Sequence, residues 1–324
     1  MNLFVDNYGA RLEIDNNMLK ITRESQIRKF SFLRITSINL LKPASLTTSV
    51  LSTAAGYQVP VLIYSETGKV EAWVWSYKYG SIAELRKRQV YFCDSTDALS
   101  WMRELMSLKL KHQIQNLKWL KDRVPGQKEF VLKQLPKLEA RIAAIKIAEN
   151  FDRIRGLEGN SSKTYWAVFS IALRKHVVFE GRDKRQPKDE FNKCLNYMYG
   201  ILYGIVESSL LMTGIDPYIG MMHVIRHDRP VLVYDHIEPF RPWVDRMVSE
   251  LFMAKRLTTE HFKTEDGLIS LEGRRVIIEY FFSEMGMRSV LNGRKIKKID
   301  HIHFLSQVLA QRIRGNNENE IDIL

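Results

Sequence analysis

Between residues 95 and 120 the chain reads STDALSWMRELMSLKLKHQIQNLKWL. Ser95, Thr96 and Asp97 offer capping oxygens, and Leu105, Leu108, Ile114, Leu117 and Leu120 follow as an apolar stripe at helical spacing. This segment divides the chain. Upstream, short and partly alternating runs at 3–5, 11–14, 18–22, 35–40, 59–64 and 70–75 read as strands. Gly9, the pair Asn16-Asn17 and Thr67-Gly68 mark turns between them. One helical interruption is expected there, capped by Ser45, running through Val50, Leu51 and Ala54, and ended by Gly56. Downstream, Pro125-Gly126 breaks the long helix. Further helices are expected over about 127–148, with Pro136 starting or kinking one, then 160–173, 188–213 (closed by Gly214), 244–256, 270–284 and 301–314. The expected fold is α+β in two domains. A small N-terminal β-rich sandwich or folded sheet covers 1–80, a helical connection 81–97, a larger all-α domain 98–315 and a polar tail 316–324.

Composition narrows the function. The 324 residues are 45% apolar and 27% charged, which is globular composition. Cys93 and Cys194 are too few for a disulfide framework or a cysteine-based zinc site. A net charge of +12 points to a polyanionic partner. The N-terminus meets Asp6 without a basic segment, so it is not a signal peptide. The uncharged stretch 43–65 is long enough to span a bilayer, but Pro43, Gly56, Pro60 and many Ser and Thr residues break it. The expectation is a soluble cytoplasmic protein, with no membrane role, that binds nucleic acid. The first 80 residues hold nine basic and six acidic side chains, so most of the excess charge lies downstream. It clusters at Arg86-Lys87-Arg88, at Lys109, Lys111, Lys118, Lys121 and Arg123, over 182–188 and over 294–298.

Three stretches carry residues suited to chemistry: Gly156-Leu157-Glu158-Gly159, the run His223 to His227, and the run Asp235 to Pro242. Glu158 reads as lying just before a helix, where a carboxylate suits the positive dipole end. His223 and His227 are one helical turn apart, but Val224 stands where a His-Glu-x-x-His zinc hydrolase needs glutamate. Asp235 and Glu238 share one face of a helical turn that Pro239 and Pro242 end. They suit a divalent cation held against phosphate, or equally a helix cap with an ion pair to Arg241 or Arg246. Phosphate-loop, dinucleotide-binding and nucleophile-elbow motifs are absent. Spacing alone ends at a basic two-domain protein with a possible carboxylate–histidine metal site.

In order along the chain, further motifs accompany these. They are Leu3-Phe4-Val5 with Gly9-Ala10-Arg11-Leu12, Ser45-Leu46-Thr47-Thr48, and Gly56 through Val61. Then come Tyr165-Trp166, Phe191-Asn192, Leu195-Asn196-Tyr197 with Tyr199, and Leu211 with Gly214 through Gly220. Taken together, the series resembles the CRISPR-associated adaptation integrases, the Cas-one family of metal-dependent DNA endonucleases and strand-transfer enzymes, over nearly the whole chain. The resemblance implies an N-terminal β domain that dimerises and an all-helical catalytic domain. It places Glu158, His223 and Glu238 on the family's three metal ligands, with Mg²⁺ or Mn²⁺ as the ion, and Asp235 on the acid that often accompanies them. Glu238 replaces the Asp of some relatives. Ser161-Ser162 stand where alanines are common, and His112-Gln113 replaces a common Asn-Gln pair.

The implied reaction is attack of a DNA 3′-hydroxyl on a phosphodiester of the CRISPR repeat, inserting a short spacer. Asp235 is open to three roles: binding a second ion, orienting His223, or acting as base. Arg241 and Arg256 are candidate phosphate clamps, and Tyr165 and Tyr199 candidate DNA-positioning residues. Implied partners are double-stranded DNA, a second copy of the chain and the small Cas-two protein. Two alternatives stand beside this reading: a non-catalytic DNA-binding scaffold of the same fold, and a transposon-type integrase of the same superfamily.

Overall fold

A computed structural model describes residues 1–324 except 7, 25, 42, 66–69, 77–81, 186, 224–228, 265–266, 292 and 316–324. The N-terminal part holds β1 (Asn2–Val5), β2 (Ala10–Asp15), β3 (Met18–Arg23), β4 (Gln26–Ser31), β5 (Ser37–Leu40), β6 (Ala44–Leu46), α1 (Thr48–Gly56), β7 (Val61–Tyr64) and β8 (Val70–Val74). These form two four-stranded sheets, ordered β1-β5-β7-β8 and β4-β3-β2-β6. The β1–β5, β5–β7 and β2–β6 pairs are parallel; β2–β3–β4 is an antiparallel meander, and β7–β8 is also antiparallel. Alternation builds the shared core. Ala10 and Leu12 of β2 face Val5, Ile38 and Val61 of the other sheet, with Val50 and Ala54 of α1 closing it. This is the expected sandwich carrying one helix.

Two details differ from expectation. Ser45 pairs with Arg11 within β6 and caps nothing; Thr47 is the residue preceding α1. Strand β4 is additional, and its mostly exposed residues hide it from any alternation test. The Thr67-Gly68 turn lies outside the described residues.

The remainder is built on α2 (Ile82–Cys93), α3 (Thr96–Lys121), α4 (Lys128–Lys146), α5 (Phe151–Leu173), α6 (Glu190–Met212), α7 (Val231–His236), α8 (Arg241–Met253) and α9 (Leu271–Gly286), then β9 (Arg288–Leu291), β10 (Arg294–Lys297) and α10 (Lys298–Ile313). The chain is thus a β-rich unit followed by a predominantly helical one, as expected, with the β9–β10 hairpin added among the helices. Ser95, Asn150, Asp189 and Ser270 cap α3, α5, α6 and α9 by accepting backbone N–H bonds. Gly214, at φ +86°, follows α6 in the left-handed region that favours glycine. Pro136 neither starts nor ends α4, which runs through it. Leu132 and Pro136 are both solvent-exposed, so the carbonyl that loses its helical donor faces water.

The two parts meet on the outer face of the first sheet. Phe4 packs against Phe282 with tilted rings whose centroids are 3.7 Å apart, and Tyr64 lies so close to α6 that a Cβ at Gly204 would clash with its ring. Strand β5 is therefore buried on both faces, and its polar outward residue Asn39 binds the Leu3 carbonyl and the Tyr64 hydroxyl. Among the described residues no helix is long and apolar enough to cross a membrane.

Candidate active site

Helix α3 carries the site. Its core face includes Met102, Leu105 and Met106, then continues with Lys109, His112, Gln113 and Asn116, all buried. Three of these polar groups hold the segment from Glu238 to Pro242, one after another along the helix. The Lys109 ammonium lies 2.5 Å from Glu238 Oε2. His112 Nδ1 meets the Pro239 carbonyl at 2.6 Å, which requires the Nδ1–H tautomer because a carbonyl only accepts. Asn116 donates to the Pro242 carbonyl at 2.6 Å and to the Tyr165 hydroxyl at 2.9 Å. Burial lowers the His112 pKa to about 4, so the ring is neutral at pH 7.

Lys109 also donates to Glu158 Oε1, which Ser162 approaches at 2.7 Å from the next turn of α5. Glu158 thus lies inside α5, two turns past its Asn150 cap, rather than ahead of a helix. One ammonium holds carboxylates from two separate elements. Arg241 adds a second cation, 2.7 Å from Glu238 Oε1. Burial opposes the charge on Glu238, but Lys109 and Arg241 outweigh it and hold the carboxyl well below the usual range. At Glu158 burial likewise opposes ionisation, and Lys109 again prevails. Bringing two unlike charges to about 4 Å is worth about 4 kcal/mol at an effective dielectric of about 20. Without a shared cation the two carboxylates would repel by a similar mechanism.

Asp235 is wholly buried and fully engaged. Its Oδ2 accepts from the backbone N–H of Met221 (2.8 Å) and Met222 (3.0 Å), and Oδ1 from that of His223 (3.2 Å). Oδ1 also takes His223 Nδ1 at 2.6 Å. The acid therefore fixes the loop and the imidazole together. It orients His223, and has no free lone pair facing a cation or a substrate. His223 is half-exposed, and its Nε2 makes no hydrogen bond among the described residues. His227 lies outside those residues, so its turn-apart relation to His223 has no structural counterpart here.

The other expected contacts separate. Tyr165 and Tyr199 are buried, at 0% and 3% exposure, and both hydroxyls donate to Asp245. Tyr165 is enclosed in the core, whereas Tyr199, though buried, also lines the cavity beside Glu158. Burial raises the Asp245 pKa to about 6 despite those two bonds. Arg256 lies beyond the far end of α8, over the Tyr280 ring at 4.8 Å, and is not among the residues lining the cavity beside Glu158. Arg241 does belong to the site, stacked 4.6 Å from the Tyr199 ring centroid.

A cavity of about 520 Å³ opens beside Glu158, lined by Lys109, Gln113, Ser162, Lys163, Arg182 and Lys184 among others. Arg182 is anchored by Asn192 and lies 5.3 Å from the Tyr199 ring centroid. Lys184 is exposed above the site, and Arg241 and partial burial lower its pKa. Lys109 was missed as a site residue because it reads as one of several helix lysines. The signal was its spacing: Lys109 is four residues after Leu105 and three after Met106, on the core face, where a cation requires an acid partner.

The donor set is that of a hard or borderline divalent ion: Glu158 Oε2, Glu238 Oε2 and His223 Nε2. The first and third make no hydrogen bond among the described residues, and Glu238 Oε2 has only the ammonium. Among the described residues no three acid, His or Cys side chains stand ready to enclose a metal. Lys109 sits between the two carboxylates.

Comparison with known proteins agrees with this architecture. The family described as CRISPR associated protein Cas1 matches residues 3–282. CRISPR-associated protein Cas1 3 of Methanobrevibacter ruminantium is 26% identical, covering 86% of each chain. A CRISPR-associated endonuclease Cas1 of Thermus thermophilus is 28% identical over 87% of this chain and 85% of its own. Among solved structures, a CAS1 protein from Thermotoga maritima superimposes with TM-score 0.78 over 97% of both chains at 19% identity. A casposase bound to integration product gives 0.78 over all of this chain and 93% of its own at 20% identity. A Cas6-RT-Cas1–Cas2 complex gives 0.82 over all of this chain and 36% of its own, also at 20% identity. With the family match spanning most of its length and the fold shared throughout, the chain belongs to the Cas1 family of CRISPR-associated proteins.

Proposed function

We propose that the protein is a divalent-metal-dependent DNA endonuclease and strand-transfer integrase of CRISPR adaptation. The observation that carries this reading is the convergence of Glu158 and Glu238 on one cation, with His223 oriented by Asp235 so that Nε2 is left free. Glu158, Glu238 and His223 would hold Mg²⁺ or Mn²⁺. When bound, the ion would lower the pKa of an attacking hydroxyl and offset charge at phosphorus. The reaction exchanges one phosphodiester for another: a DNA 3′-oxygen bonds to phosphorus as the resident 3′-oxygen leaves.

The chain's own side chains do the positioning. Asp235 fixes the tautomer and aim of His223. Lys163, Arg182 and Lys184 line the adjoining cavity as contacts for backbone phosphate, which carries no sequence information and so suits spacers of any sequence. A Cβ at Gly156 or Gly159 would meet open space, so the surface of α5 beside Glu158 is bare and lets a DNA backbone approach closely. Partners in this reading are double-stranded DNA, a second copy through the N-terminal sandwich, and a Cas2 protein. The Cas2 expectation is supported by the shared fold of the chain in the Cas1–Cas2 complex.

The test is strand transfer from a labelled short duplex into a supercoiled repeat plasmid, with Mn²⁺, Mg²⁺ or EDTA, and with or without Cas2. Metal-dependent label in the plasmid, lost in Glu158→Ala and in His223→Ala, is expected. DNA binding without transfer under every condition would favour the scaffold alternative. The casposase likeness supports a second reading, a transposon-type integrase. Transfer into plasmids lacking a repeat, undiminished without Cas2, would favour it.

A further inference from the structure

Lys109 occupies the point where the two carboxylates of the proposed donor set, Glu158 and Glu238, meet. Its side chain is 6% exposed, its ammonium touches Glu158 Oε1 and lies 2.5 Å from Glu238 Oε2, and it borders the same cavity as Arg182 and Lys184. The centre is already charge-balanced, with two carboxylates against Lys109 and Arg241. A divalent cation arriving at the same carboxylates meets an ammonium at contact distance, and like charges there repel strongly. Arg241 cannot make room, because Glu238 pairs with its guanidinium and Tyr199 and Tyr203 lie against it. Lys109 can. Its flexible four-carbon stem reaches the open cavity, where a phosphate oxygen would replace the carboxylate it leaves.

The geometry points to Lys109 as the resident cation of this site. It neutralises Glu158 and Glu238 in the metal-free protein, competes with a divalent ion for them, and on displacement turns to substrate phosphate. The inference rests on the metal-dependent reading above. Its consequence is coupling: the ion binds weakly to the free protein, and DNA and ion bind better together than apart.

The experiment is titration of Mn²⁺ into DNA-free native protein, Lys109→Met, Lys109→Arg and Glu158→Ala, following free Mn²⁺ by electron paramagnetic resonance. A short DNA duplex is added in a second series. Lys109→Met should bind Mn²⁺ about tenfold tighter than native protein without DNA, because the competing charge is gone. Lys109→Arg should stay native-like. Duplex should tighten Mn²⁺ binding by native protein more than by Lys109→Met. Thermal melting supplies a second readout: Lys109→Met should melt below native protein in EDTA and recover in Mn²⁺, as ligand linkage requires. Lys109→Gln carries the same expectations should Lys109→Met fail to fold. Neutral variants that fold and bind Mn²⁺ no tighter than native protein would overturn the inference and leave the metal site standing. Binding absent from every protein, or unchanged in Glu158→Ala, would overturn both.

Discussion

The sandwich core is assembled from Leu3, Val5, Ala10, Leu12, Leu19, Ile38, Val50 and Val61, all apolar. Helix α3 and the elements around it bury something different: Lys109, His112, Gln113, Asn116, Asp235, Glu238 and Asp245. Removing apolar area from water stabilises a fold without direction. Burying ions does not, since desolvation offsets most of their attraction, and apolar replacements are often as stable. Charges concentrated at one end of one helical body therefore mark a working site, whereas the sandwich is built for stability and docking.

The largest expected effect separates activity from folding. Glu158→Ala should lower strand transfer by roughly a thousandfold or more, through loss of metal-assisted charge stabilisation, while duplex binding measured by mobility shift changes little. Leu12→Ala, in the sandwich, should leave transfer intact at temperatures where it is folded. Transfer lost in the sandwich variant while it remains folded would break the division of labour.

Stability comes next. Glu238→Ala strands Arg241 and weakens Lys109, and should cost about 3–5 kcal/mol in urea unfolding. Leu12→Ala should cost about 2–5 kcal/mol by leaving a cavity. The two sites share no partner, so the double variant should be additive within about 0.5 kcal/mol. A larger departure would show that the two parts are energetically coupled through the Phe4–Phe282 and Tyr64–Gly204 contacts.

The pH dependence sharpens the contrast inside the helical body. Asp245 titrates near 3.9 when unfolded and at about 6 when folded, so the native protein holds this proton more tightly. Its contribution to stability is complete below about pH 4 and is lost as the pH rises through about 6, by up to about 3 kcal/mol. Glu158 and Glu238, with depressed pKa values, act oppositely: their contribution is present above the ordinary carboxylate range and is lost as the pH falls below it. Comparing melting temperatures of native protein and Asp245→Asn between pH 4 and 7 isolates the first term. The variant should lack that decline.

The smallest effect concerns orientation. Asp235→Asn keeps the size of the side chain but weakens its hold on His223 Nδ1, and should reduce Mn²⁺ affinity about 10- to 100-fold, read by the same titration. An unchanged affinity would mean that the imidazole is aimed by the loop alone.

Much of this was legible in the residue order. Partial alternation revealed β2 and β3, helical periodicity with a cap at Ser95 revealed α3, and α9 was expected over 270–284. Strand β4 escaped because an exposed edge strand has no buried face to pattern. Helix α7 was legible only at its end, through the helical turn read at Asp235, because Val231 and Val233 are β-branched and only their neighbours commit that run to helix. The β9–β10 hairpin did leave a mark, the Asn292-Gly293 pair between two short runs.

Sequence by itself determined the order of elements, the division into a β-rich and a helical part, the cationic excess, and the motifs holding Glu158, His223, Asp235 and Glu238. These follow from local periodicity, capping and composition, which act within a few residues of chain. Only the tertiary structure decided what each polar side chain faces. It turned Tyr165 and Tyr199 inward onto Asp245, gave Asp235 to the backbone of its neighbouring loop, and set Lys109 between acids 49 and 129 residues away. The physical reason is that a buried charge is tolerated only with a partner, and partners so distant in sequence are chosen by packing.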